Sequence, residues 1–465
     1  MSSVFKTPVH IEAAIKPECS HANSVLIPVF AEWIKKKCAV FQNGPIKLDD
    51  EIASVISSIK VADLPPNRRV SFWQADVCLH LYRLCDQGPE EDFLEGEEEL
   101  PAAEQWELPN ALLNNLWDSI IIDAAVKNRL LSYCSTSIQF SEARVDTDII
   151  SWNRMILLHG PPGTGKTTIC KGLAQKTFVR NSDRFSSGML LEINSHSLFS
   201  KWFSESGKLV MKLFAHIGEI ADDEECMVVV LIDEVESITA SRSSNARSNE
   251  PGDAVRVVNA VLTSLDALKR RPNVLVLCTS NLIGSVDAAF LDRVDLKVHL
   301  GPPPISARYD ILRSCCVELM HRGLITPVQP LSQDCLAIEQ QLKEMKLVES
   351  SLPEFIAGVL VPDMAAMMID SEDENESMRS EITEEGGTAL HLGLREDQYL
   401  YVIAAQCEGM SGRSLRKLPI KAHSYYLQRP RATLMDFLLA LHGTIKTEAV
   451  ERAAVSSFEA MAVAT

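Results

Sequence analysis

Short apolar runs alternate with helical stretches through the middle of the chain. Four runs are almost wholly apolar over five or six residues: Met155–His159, Met189–Ile193, Met227–Ile232 and Val274–Cys278. Leu296–Leu300, which includes a lysine and a histidine, is the candidate for a last run. A strand without a polar face is typical of a parallel sheet that helices cover on both faces. The pattern therefore predicts an α/β domain built on a parallel sheet.

The N-terminal part of the chain has a mixed pattern. Val9–Ile15 alternates weakly, as a strand does, whereas Val25–Phe41 has helical spacing with apolar residues such as Val29, Trp33 and Val40. Leu108–Ser132, closer to the apolar runs, is also predicted to be helical. We therefore expect an α+β domain that is separate from the parallel sheet.

The C-terminal part is predicted to be helical. Gly301-Pro302-Pro303-Pro304 interrupts the chain after the last apolar run, because proline and glycine disfavour the continuation of a strand or a helix. Helical spacing begins near Ile305, and it returns near Gln398 and continues past Leu441. This part should form a separate helical domain.

Two acidic segments indicate where one predicted domain ends and where another is interrupted. Glu90–Glu99 holds seven carboxylates in ten residues, and Asp370–Glu385 holds eight carboxylates and one arginine. Self-repulsion and few apolar residues favour solvated segments. The predicted domains are 1–105, with a linker at 88–105, then 106–303, and then 304–465, with an acidic insertion at about 327–397.

Composition narrows the class of protein. The 465 residues are 46% hydrophobic, with a mean hydropathy of +0.02, which fits several globular domains. The net charge of −18 disfavours a nucleic-acid partner, since affinity for nucleic acids comes largely from neutralising phosphates.

The twelve cysteines lack a metal-type spacing and are expected to be reduced thiols. With neither a signal peptide nor a run of about 20 apolar residues, we expect a cytosolic or nuclear protein without a membrane span.

A glycine-rich segment follows the first apolar run and precedes a helix predicted at Thr168–Lys176. It fits the P-loop pattern, in which glycines let backbone N–H groups turn toward phosphate oxygens at a helix N-terminus. Lys166 is expected to reach the β- and γ-phosphates, and Thr167 to ligate Mg²⁺. The alternative is a loop that only joins strand to helix. The residues predicted to bind ATP are Gly160, Pro161, Pro162, Gly163, Thr164, Gly165, Lys166, Thr167 and Thr168.

A pair of carboxylates ends the third apolar run, about 70 residues after the P-loop. A buried parallel strand delivers its next residues to the carboxyl edge of the sheet, so Asp233 and Glu234 should lie beside the P-loop. Asp233 is expected to hold Mg²⁺, and Glu234 to polarise the attacking water as general base. The alternative is that the pair ends the strand and caps the next helix.

Asn281 follows the fourth apolar run, after Thr279 and Ser280. An amide at the end of the neighbouring strand can hydrogen-bond the attacking water and the γ-phosphate, which makes Asn281 a third candidate for catalysis. It could instead be an asparagine that forms the turn after the strand.

These elements in this order resemble the core of the AAA+ ATPases, and four segments narrow the resemblance to one branch. The segments are Trp152-Asn153-Arg154, Leu198–Lys208, Asp292-Arg293-Val294-Asp295 and Gly409–Pro419. They resemble the pachytene-checkpoint ATPase family, also called thyroid-receptor-interacting protein thirteen. The resemblance runs from about Trp117 to Leu324 and again from about Gln398 to the C-terminal helices.

The resemblance implies an ATPase that acts as a homohexamer and remodels HORMA-domain proteins. These substrates belong to the spindle checkpoint and to the meiotic chromosome axis, where synapsis and recombination are controlled. The N-terminal domain would receive the substrate, in some members through a HORMA-like adaptor. The resemblance also implies a nuclear location on meiotic chromosomes, with a possible cytoplasmic pool. Neither nucleic acid nor membrane is expected as a direct partner.

The resemblance also assigns roles to three arginines. Arg293 lies where an arginine finger would reach the γ-phosphate of a neighbouring subunit, although Asp292 replaces the second arginine of many AAA proteins. A surface ion pair between Arg293 and Asp295 is the alternative. Arg413 or Arg416, near a helix start, would be the second sensor of the nucleotide, unless both are simply solvent-exposed.

Two loops are implied to line a central pore. Lys201, Trp202, Phe203 and Ser204 would form the main pore loop, whose aromatic side chains could grip an extended peptide. The alternative is that Trp202 and Phe203 pack in a core. Ser241–Gly252 would be a second pore loop, or else an ordinary exposed loop.

Two other functions remain open from the sequence. A nucleic-acid motor or clamp loader shares the ATPase core, but the acidic charge and the aromatic pore loop disfavour it. A scaffold of meiotic chromosomes that binds ATP without hydrolysis is the other, and the presence of Asp233, Glu234, Asn281 and Arg293 disfavours it.

Overall fold

A seven-stranded sheet forms the centre of the larger of two units in the computed structural model. The structure describes residues 6–65, 68–93, 101–193, 206–239, 251–326, 330–344 and 394–463. One unit comprises Met1–Pro161 and Gly165–Leu300, and the other comprises Pro162–Thr164 and Gly301–Thr465.

Within the described ranges, the strands of the first unit belong to two larger sheets and one small pair. In chain order they are β1 (Thr7–Ile15), β2 (Val40–Phe41), β3 (Gly44–Pro45), β4 (Ile56–Ala62), β5 (Val70–Ser71), β6 (Ala75–Arg83), β7 (Glu90–Phe93), β8 (Pro101–Leu108), β9 (Met155–His159), β10 (Ser187–Ile193), β11 (Cys226–Ile232), β12 (Val274–Ser280) and β13 (Leu296–His299).

Helices cover these sheets. In chain order they are α1 (Asn23–Lys37), α2 (Asp50–Ala53), α3 (Leu116–Ser119), α4 (Ala124–Glu142), α5 (Lys166–Arg180), α6 (Ser206–Ile220), α7 (Val235–Thr239), α8 (Pro251–Leu268) and α9 (Ala288–Arg293).

The large sheet confirms the predicted parallel arrangement. Among the described residues its order is β13-β9-β12-β11-β10-β8-β7, and strands β9 to β13 pair in parallel. Leu157 and Val230 pack into the core on one face of the sheet, while Leu158 and Leu231 pack into the core on the other. All four are buried, which explains why these strands have no polar face.

The N-terminal residues form an α+β fold, as predicted. The described strands make a sheet of order β3-β4-β1-β6, in which β1 pairs antiparallel with β4 and in parallel with β6. Phe30 and Ile34 of α1 are buried in the core of this sheet with Ile11 of β1. This sheet belongs to the same unit as the large sheet.

The second unit is mainly helical, as expected. Its elements are α10 (Ile305–His321), β14 (Ile325–Thr326), α11 (Cys335–Glu344), α12 (Glu396–Gln406), α13 (Gly412–Ala422), a π-helix at His423–Leu427, β15 (Ala432–Thr433) and α14 (Leu434–Val463). Among the described segments, no helix is both long enough and apolar enough to span a bilayer.

The structure corrects three predictions. The helix predicted at Val25–Phe41 ends at Lys37, because Val40–Phe41 pairs with Val70–Ser71 as a strand. Leu108–Ser132 is not one helix: Leu108 ends β8, and α3 and α4 are separate.

The predicted linker at 88–105 is the third correction. Glu90–Phe93 lies within it and Pro101–Leu108 begins within it, and both are strands of the large sheet. β8 pairs antiparallel with β10, and β7 pairs antiparallel with β8. The predicted domain boundary after residue 105 therefore falls inside β8. The acidic segment at 370–385 lies outside the described residues.

Candidate ATPase site

The order of three adjacent strands brings the predicted site residues to one edge of the large sheet. β12 lies between β9 and β11, with Ser280 opposite His159 and Cys278 opposite Ile232. The P-loop follows β9, Asp233 follows β11, and Asn281 follows β12. Because the strands are parallel, all three chain segments leave the sheet at its carboxyl edge, where α/β proteins bind ligands.

Three glycines give the P-loop its shape. Gly160, Gly163 and Gly165 have φ values of +147°, +77° and +88°, which residues with a Cβ rarely adopt. A Cβ on Gly160 would also lie 2.1 Å from the carbonyl oxygen of Leu300. Gly165 immediately precedes α5, so the loop ends at a helix N-terminus, where the first N–H groups have no carbonyl partner within the helix. These features fit a phosphate group, as the sequence predicts.

Lys166 is held inside the loop. Its side chain is buried, and Nζ donates to the carbonyl oxygens of Gly160 at 2.8 Å and Pro161 at 2.9 Å. The loop carbonyls therefore fix the ammonium group next to the backbone donors. A fixed positive charge there is what a polyphosphate requires.

Two hydroxyl groups contact the carboxylate of Asp233. Thr167 Oγ1, on the first turn of α5, donates to Asp233 Oδ1 at 2.8 Å. Thr279 Oγ1, in β12, donates to the same oxygen. The described residues hold no cluster of three histidine, cysteine or acidic side chains that could bind a metal. Thr167 and Asp233 instead fit Mg²⁺, which usually keeps several waters and takes few protein ligands.

Glu234 has an unusual backbone conformation. Its φ is +54°, which is uncommon for a residue other than glycine. Its N–H donates to Thr279 Oγ1 at 3.0 Å, and Asn281 Nδ2 donates to its Oε1 at 3.4 Å. The structure thus brings Asp233, Glu234 and Asn281 together, as the sequence predicts.

Two residues of this cluster were not singled out from the sequence. Thr279 contacts both Asp233 and Glu234, and Glu236 Oε1 accepts the backbone N–H of Asn281 at 2.9 Å. One signal in the sequence pointed to Thr279, since it is a polar residue at the end of an apolar run. Its partners lie about 45 residues away, and no local pattern identifies them.

A histidine pair lies next to the P-loop. His159, the last residue of β9, and His299 of β13 have ring centroids 5.0 Å apart. Burial lowers the pKa of His159, and His299 and the Lys166 ammonium lower it further. The imidazole therefore stays neutral at neutral pH and adds no charge beside Lys166.

Arg293 forms an ion pair, but not with the residue considered from the sequence. It ends α9, and its Nε and Nη2 donate to the two carboxylate oxygens of Asp266 at 2.8 and 2.7 Å. Asp295 instead accepts the backbone N–H groups of Asn153 and Met155. Asp292 lies on the same helix as Arg293.

The remaining candidates fall in two groups. Arg413 and Arg416 lie on α13 in the second unit, after Ser411, whose side chain caps the helix by accepting the N–H of Ser414. The main pore loop, Lys201–Ser204, lies outside the described residues. So does most of Ser241–Gly252, whose last two residues begin α8.

Two protein-family models match most of the ATPase fold and most of the second unit. Residues 156–302 match the ATPase family associated with various cellular activities (AAA). Residues 304–449 match the TRIP13-like, AAA+ ATPase lid C-terminal domain. The lid match starts at Pro304, the last residue of the Gly-Pro segment that follows the parallel sheet.

Relatives match the chain over nearly its whole length. The pachytene checkpoint protein 2 homologs of Danio rerio and Xenopus tropicalis are 39% and 42% identical, and the alignments cover 97% and 96% of this chain and 96% and 94% of the relatives. The solved structure of C. elegans PCH-2 is similar with a TM-score of 0.69 and 31% identity, covering 96% of this chain and 100% of that one. The chain therefore belongs to the pachytene checkpoint protein 2, or TRIP13-like, family of AAA ATPases, and it is a nucleotide-binding ATPase.

Proposed function

We propose that this ATPase uses Mg·ATP to remodel HORMA-domain proteins as a homohexamer. The observation that carries the proposal is the extent of similarity to pachytene checkpoint protein 2 homologs: the Danio rerio alignment covers 97% of this chain. The shared region therefore includes the N-terminal α+β fold as well as the ATPase core. A remodelling ATPase needs both a motor and a domain that receives its substrate.

The cluster at the sheet edge supports a hydrolytic role. Lys166 would bind the β- and γ-phosphates, while Thr167 and Asp233 would hold Mg²⁺, which would neutralise the phosphate charge. Glu234 would accept a proton from the attacking water, and Asn281 would orient that water from the next strand. The hydrogen bond from Asn281 to Glu234 supports this assignment, because it places the amide beside the proposed base.

Other parts of the ring mechanism rest on the family resemblance. Arg293 would leave Asp266 and reach the nucleotide of a neighbouring subunit, and Arg413 or Arg416 would sense the nucleotide from the lid. Trp202 and Phe203, in the pore loop Lys201–Ser204, would grip an extended peptide of the client. Hydrolysis would then pull on one terminus of the client and unfold it locally.

The proposed setting is also that of the family. The clients would be HORMA-domain proteins of the meiotic chromosome axis and of the spindle checkpoint, received directly or through a HORMA-like adaptor. We propose a nuclear location on meiotic chromosomes, with a cytoplasmic pool. The net charge of −18 supports proteins rather than nucleic acid as partners.

The test measures ATP turnover and client conversion together. Purified protein is assayed with Mg·ATP alone, with a HORMA-domain protein, and with that protein plus a HORMA-like adaptor, while client conformation is followed by native gel or NMR. We expect client and adaptor to stimulate turnover and the client to change state only with ATP. Stimulation by DNA at physiological salt, with no client conversion, would contradict the proposal and favour a nucleic-acid motor.

A further inference from the structure

We propose that Thr279 is a positioning residue for ATP hydrolysis, because its hydroxyl group fixes the two carboxylates Asp233 and Glu234 relative to each other. The inference rests on the proposed role of Glu234 as general base. It concerns a residue that neither contacts the nucleotide in the proposed mechanism nor belongs to the predicted site.

The two hydrogen bonds of the Thr279 hydroxyl group can have only one pair of donor and acceptor directions. Oγ1 accepts the backbone N–H of Glu234 at 3.0 Å, and it lies within hydrogen-bond distance of Asp233 Oδ1. A hydroxyl has one proton to give, and an ionised carboxylate can only accept. Thr279 therefore donates to Asp233 and accepts from Glu234, so a single oxygen atom connects the two consecutive residues.

The position of Thr279 in the sheet makes this connection rigid. Cys278 is paired with Ile232, so Thr279, the next residue of β12, lies beside Asp233, the residue that follows β11. On its other side Thr279 is paired with Leu158 of β9. The residue is 1% exposed, so water cannot readily take the place of its hydroxyl group.

The backbone of Glu234 needs such support. A φ of +54° is unfavourable for a residue with a Cβ, and such conformations persist where the surroundings hold them. The N–H of Glu234 points at Thr279 in this conformation. Loss of the acceptor would leave that N–H without its partner and let the backbone relax, which would move the carboxylate away from Asn281.

The hydroxyl group of Thr279 also contacts Asp233, which is a proposed ligand of Mg²⁺. Its Oδ1 accepts from Thr167 of the P-loop helix and from Thr279 of the central strand. Thr167 is a proposed ligand of Mg²⁺ and would exchange that contact during the cycle. Thr279 takes no ligand role, so it keeps the carboxylate in place while Thr167 changes partners.

The test compares Thr279→Val, which keeps the shape and removes the hydroxyl, with Thr279→Ser, which keeps the hydroxyl. We expect Thr279→Val to change the affinity for ATP and the KM little, because Lys166 and the P-loop would still bind the phosphates. We expect kcat to fall by roughly 30-fold or more, since small displacements of catalytic groups cost about 10²-fold. Thr279→Ser should recover kcat to within about threefold of the wild type, because the hydroxyl connection returns.

A matched control separates positioning from general damage. Thr177→Val makes the same exchange at another buried threonine, which is 2% exposed and lies on α5, ten residues after Thr167. Its kcat should equal that of the wild type. If Thr279→Val is insoluble, Thr279→Ala and Thr279→Ser provide the same comparison, with and without the hydroxyl.

The outcomes distinguish this inference from the proposed function. A kcat for Thr279→Val within about threefold of the wild type, or a Thr279→Ser variant as slow as Thr279→Val, overturns the role of Thr279. Glu234→Gln is assayed in parallel. If that variant hydrolyses ATP normally, the assignment of the general base fails; if it is inactive while Thr279→Val is normal, only the present inference fails.

Discussion

Lys176 Nζ lies 2.5 Å from Glu12 Oε1, and both side chains are almost completely buried. Glu12 belongs to β1 of the N-terminal sheet, whereas Lys176 belongs to α5, the helix that begins at the P-loop. Lys176 also lies 3.1 Å from Asp63 Oδ2, and Arg180, one turn later, donates to the same oxygen. The end of the P-loop helix is thereby joined to the N-terminal sheet by buried charges.

Lys176→Met should destabilise the first unit by about 3–5 kcal/mol, because it leaves two carboxylates buried without their central cation. Burial alone would raise the pKa of Asp63, but Lys176 and Arg180 outweigh that effect and lower it. Urea unfolding followed by tryptophan fluorescence measures the loss, since Trp117 Nε1 lies 3.4 Å from Asp63 Oδ1.

Lys36→Met is the control for this prediction. Lys36 pairs with Glu32 on the exposed face of α1, where an ion pair contributes about 0.2–1 kcal/mol. The double variant Glu12→Gln with Lys176→Met should lose less stability than the sum of the single variants, because the two charges compensate each other. Equal losses for Lys176→Met and Lys36→Met would contradict a structural role of the buried pair.

The sequence predicts the central part of this fold well because the residue types there are dictated by burial and by backbone conformation within a short segment. The strands that carry Leu157, Leu158, Val230 and Leu231 are buried on both faces, so they contain almost no polar residue. The P-loop pattern likewise requires glycine where φ is positive and a helix directly afterwards. Such requirements can be recognised within a short window of sequence.

Other features depend on contacts between distant residues. The acidic surroundings predict a linker that ends at residue 105, yet β8 begins at Pro101, and its Ala103, Trp106 and Leu108 are buried against the sheet. The partners of Thr279 and Arg293 lie in other elements, and no spacing rule identifies them. The number of charged residues in a segment indicates how well water solvates it. The location of β8 and the partners of Thr279 and Arg293 depend instead on which strand or helix packs beside them.

Glu234→Gln should bind ATP and lose turnover, because an amide cannot accept the proton of the attacking water. We expect kcat to fall by about 10²–10⁴-fold with little change in the Kd for ATP, and substrate-bound assemblies should accumulate. Phosphate release and nucleotide binding measured on the same preparation test this. Asn281→Ala should show a smaller loss, since it would orient the water without taking its proton. Normal turnover by Glu234→Gln would remove Glu234 from the mechanism.

Arg293→Ala should abolish most ATP turnover while leaving the fold intact. An arginine finger contributes about 10³–10⁵ in rate, whereas the partly exposed ion pair with Asp266 contributes about 1 kcal/mol or less. Asp266→Asn should therefore keep substantial turnover, as the freed guanidinium remains available. Phosphate release and thermal melting of both variants separate rate from stability.

Arg271→Ala provides the matched control for Arg293. Arg271 makes an equivalent ion pair with Asp222, with a distance of 2.8 Å and similar exposure. Its loss should not affect turnover. If Arg293→Ala and Arg271→Ala have the same small effect, Arg293 is a surface ion-pair residue and not a finger.

Alanine at two P-loop glycines should have different effects. Gly160→Ala places a Cβ 2.1 Å from a backbone oxygen at a positive φ, so we expect misfolding or a large fall in Tm. In Gly165→Ala the added Cβ meets no atom within 4 Å, so the protein should fold. It should nevertheless bind ATP weakly, because a φ of +88° disfavours alanine and the loop would relax from its phosphate-binding shape. Thermal melting and ATP binding check both. Equal stability of the two variants would contradict the packing argument.

A histidine pair in the N-terminal sheet predicts a pH-dependent stability. His10 of β1 and His80 of β6 stack with ring centroids 5.3 Å apart, and His10 Nδ1 lies 3.0 Å from His80 Nε2. Burial, assisted by the nearby charge of Arg180, lowers the pKa of each to about 4 from 6.5. Asp63 and Glu12 act in the opposite direction on His10 but do not outweigh these effects.

The direction of the change in stability with pH follows from proton uptake by the unfolded state. Above pH 6.5 the two histidines are neutral in both the folded and the unfolded state, and they do not affect stability. Between pH 6.5 and 4 only the unfolded state takes up these protons, so stability falls with pH by up to about 1.4 kcal/mol per pH unit for each imidazole. His80→Asn should therefore lose less stability than the wild type between about pH 7 and pH 5, as one titrating group is gone. Urea midpoints at both pH values measure this, with His321→Asn, a change at an exposed histidine, as the control. A His80→Asn slope equal to that of the wild type would show that the pair does not carry the acid sensitivity.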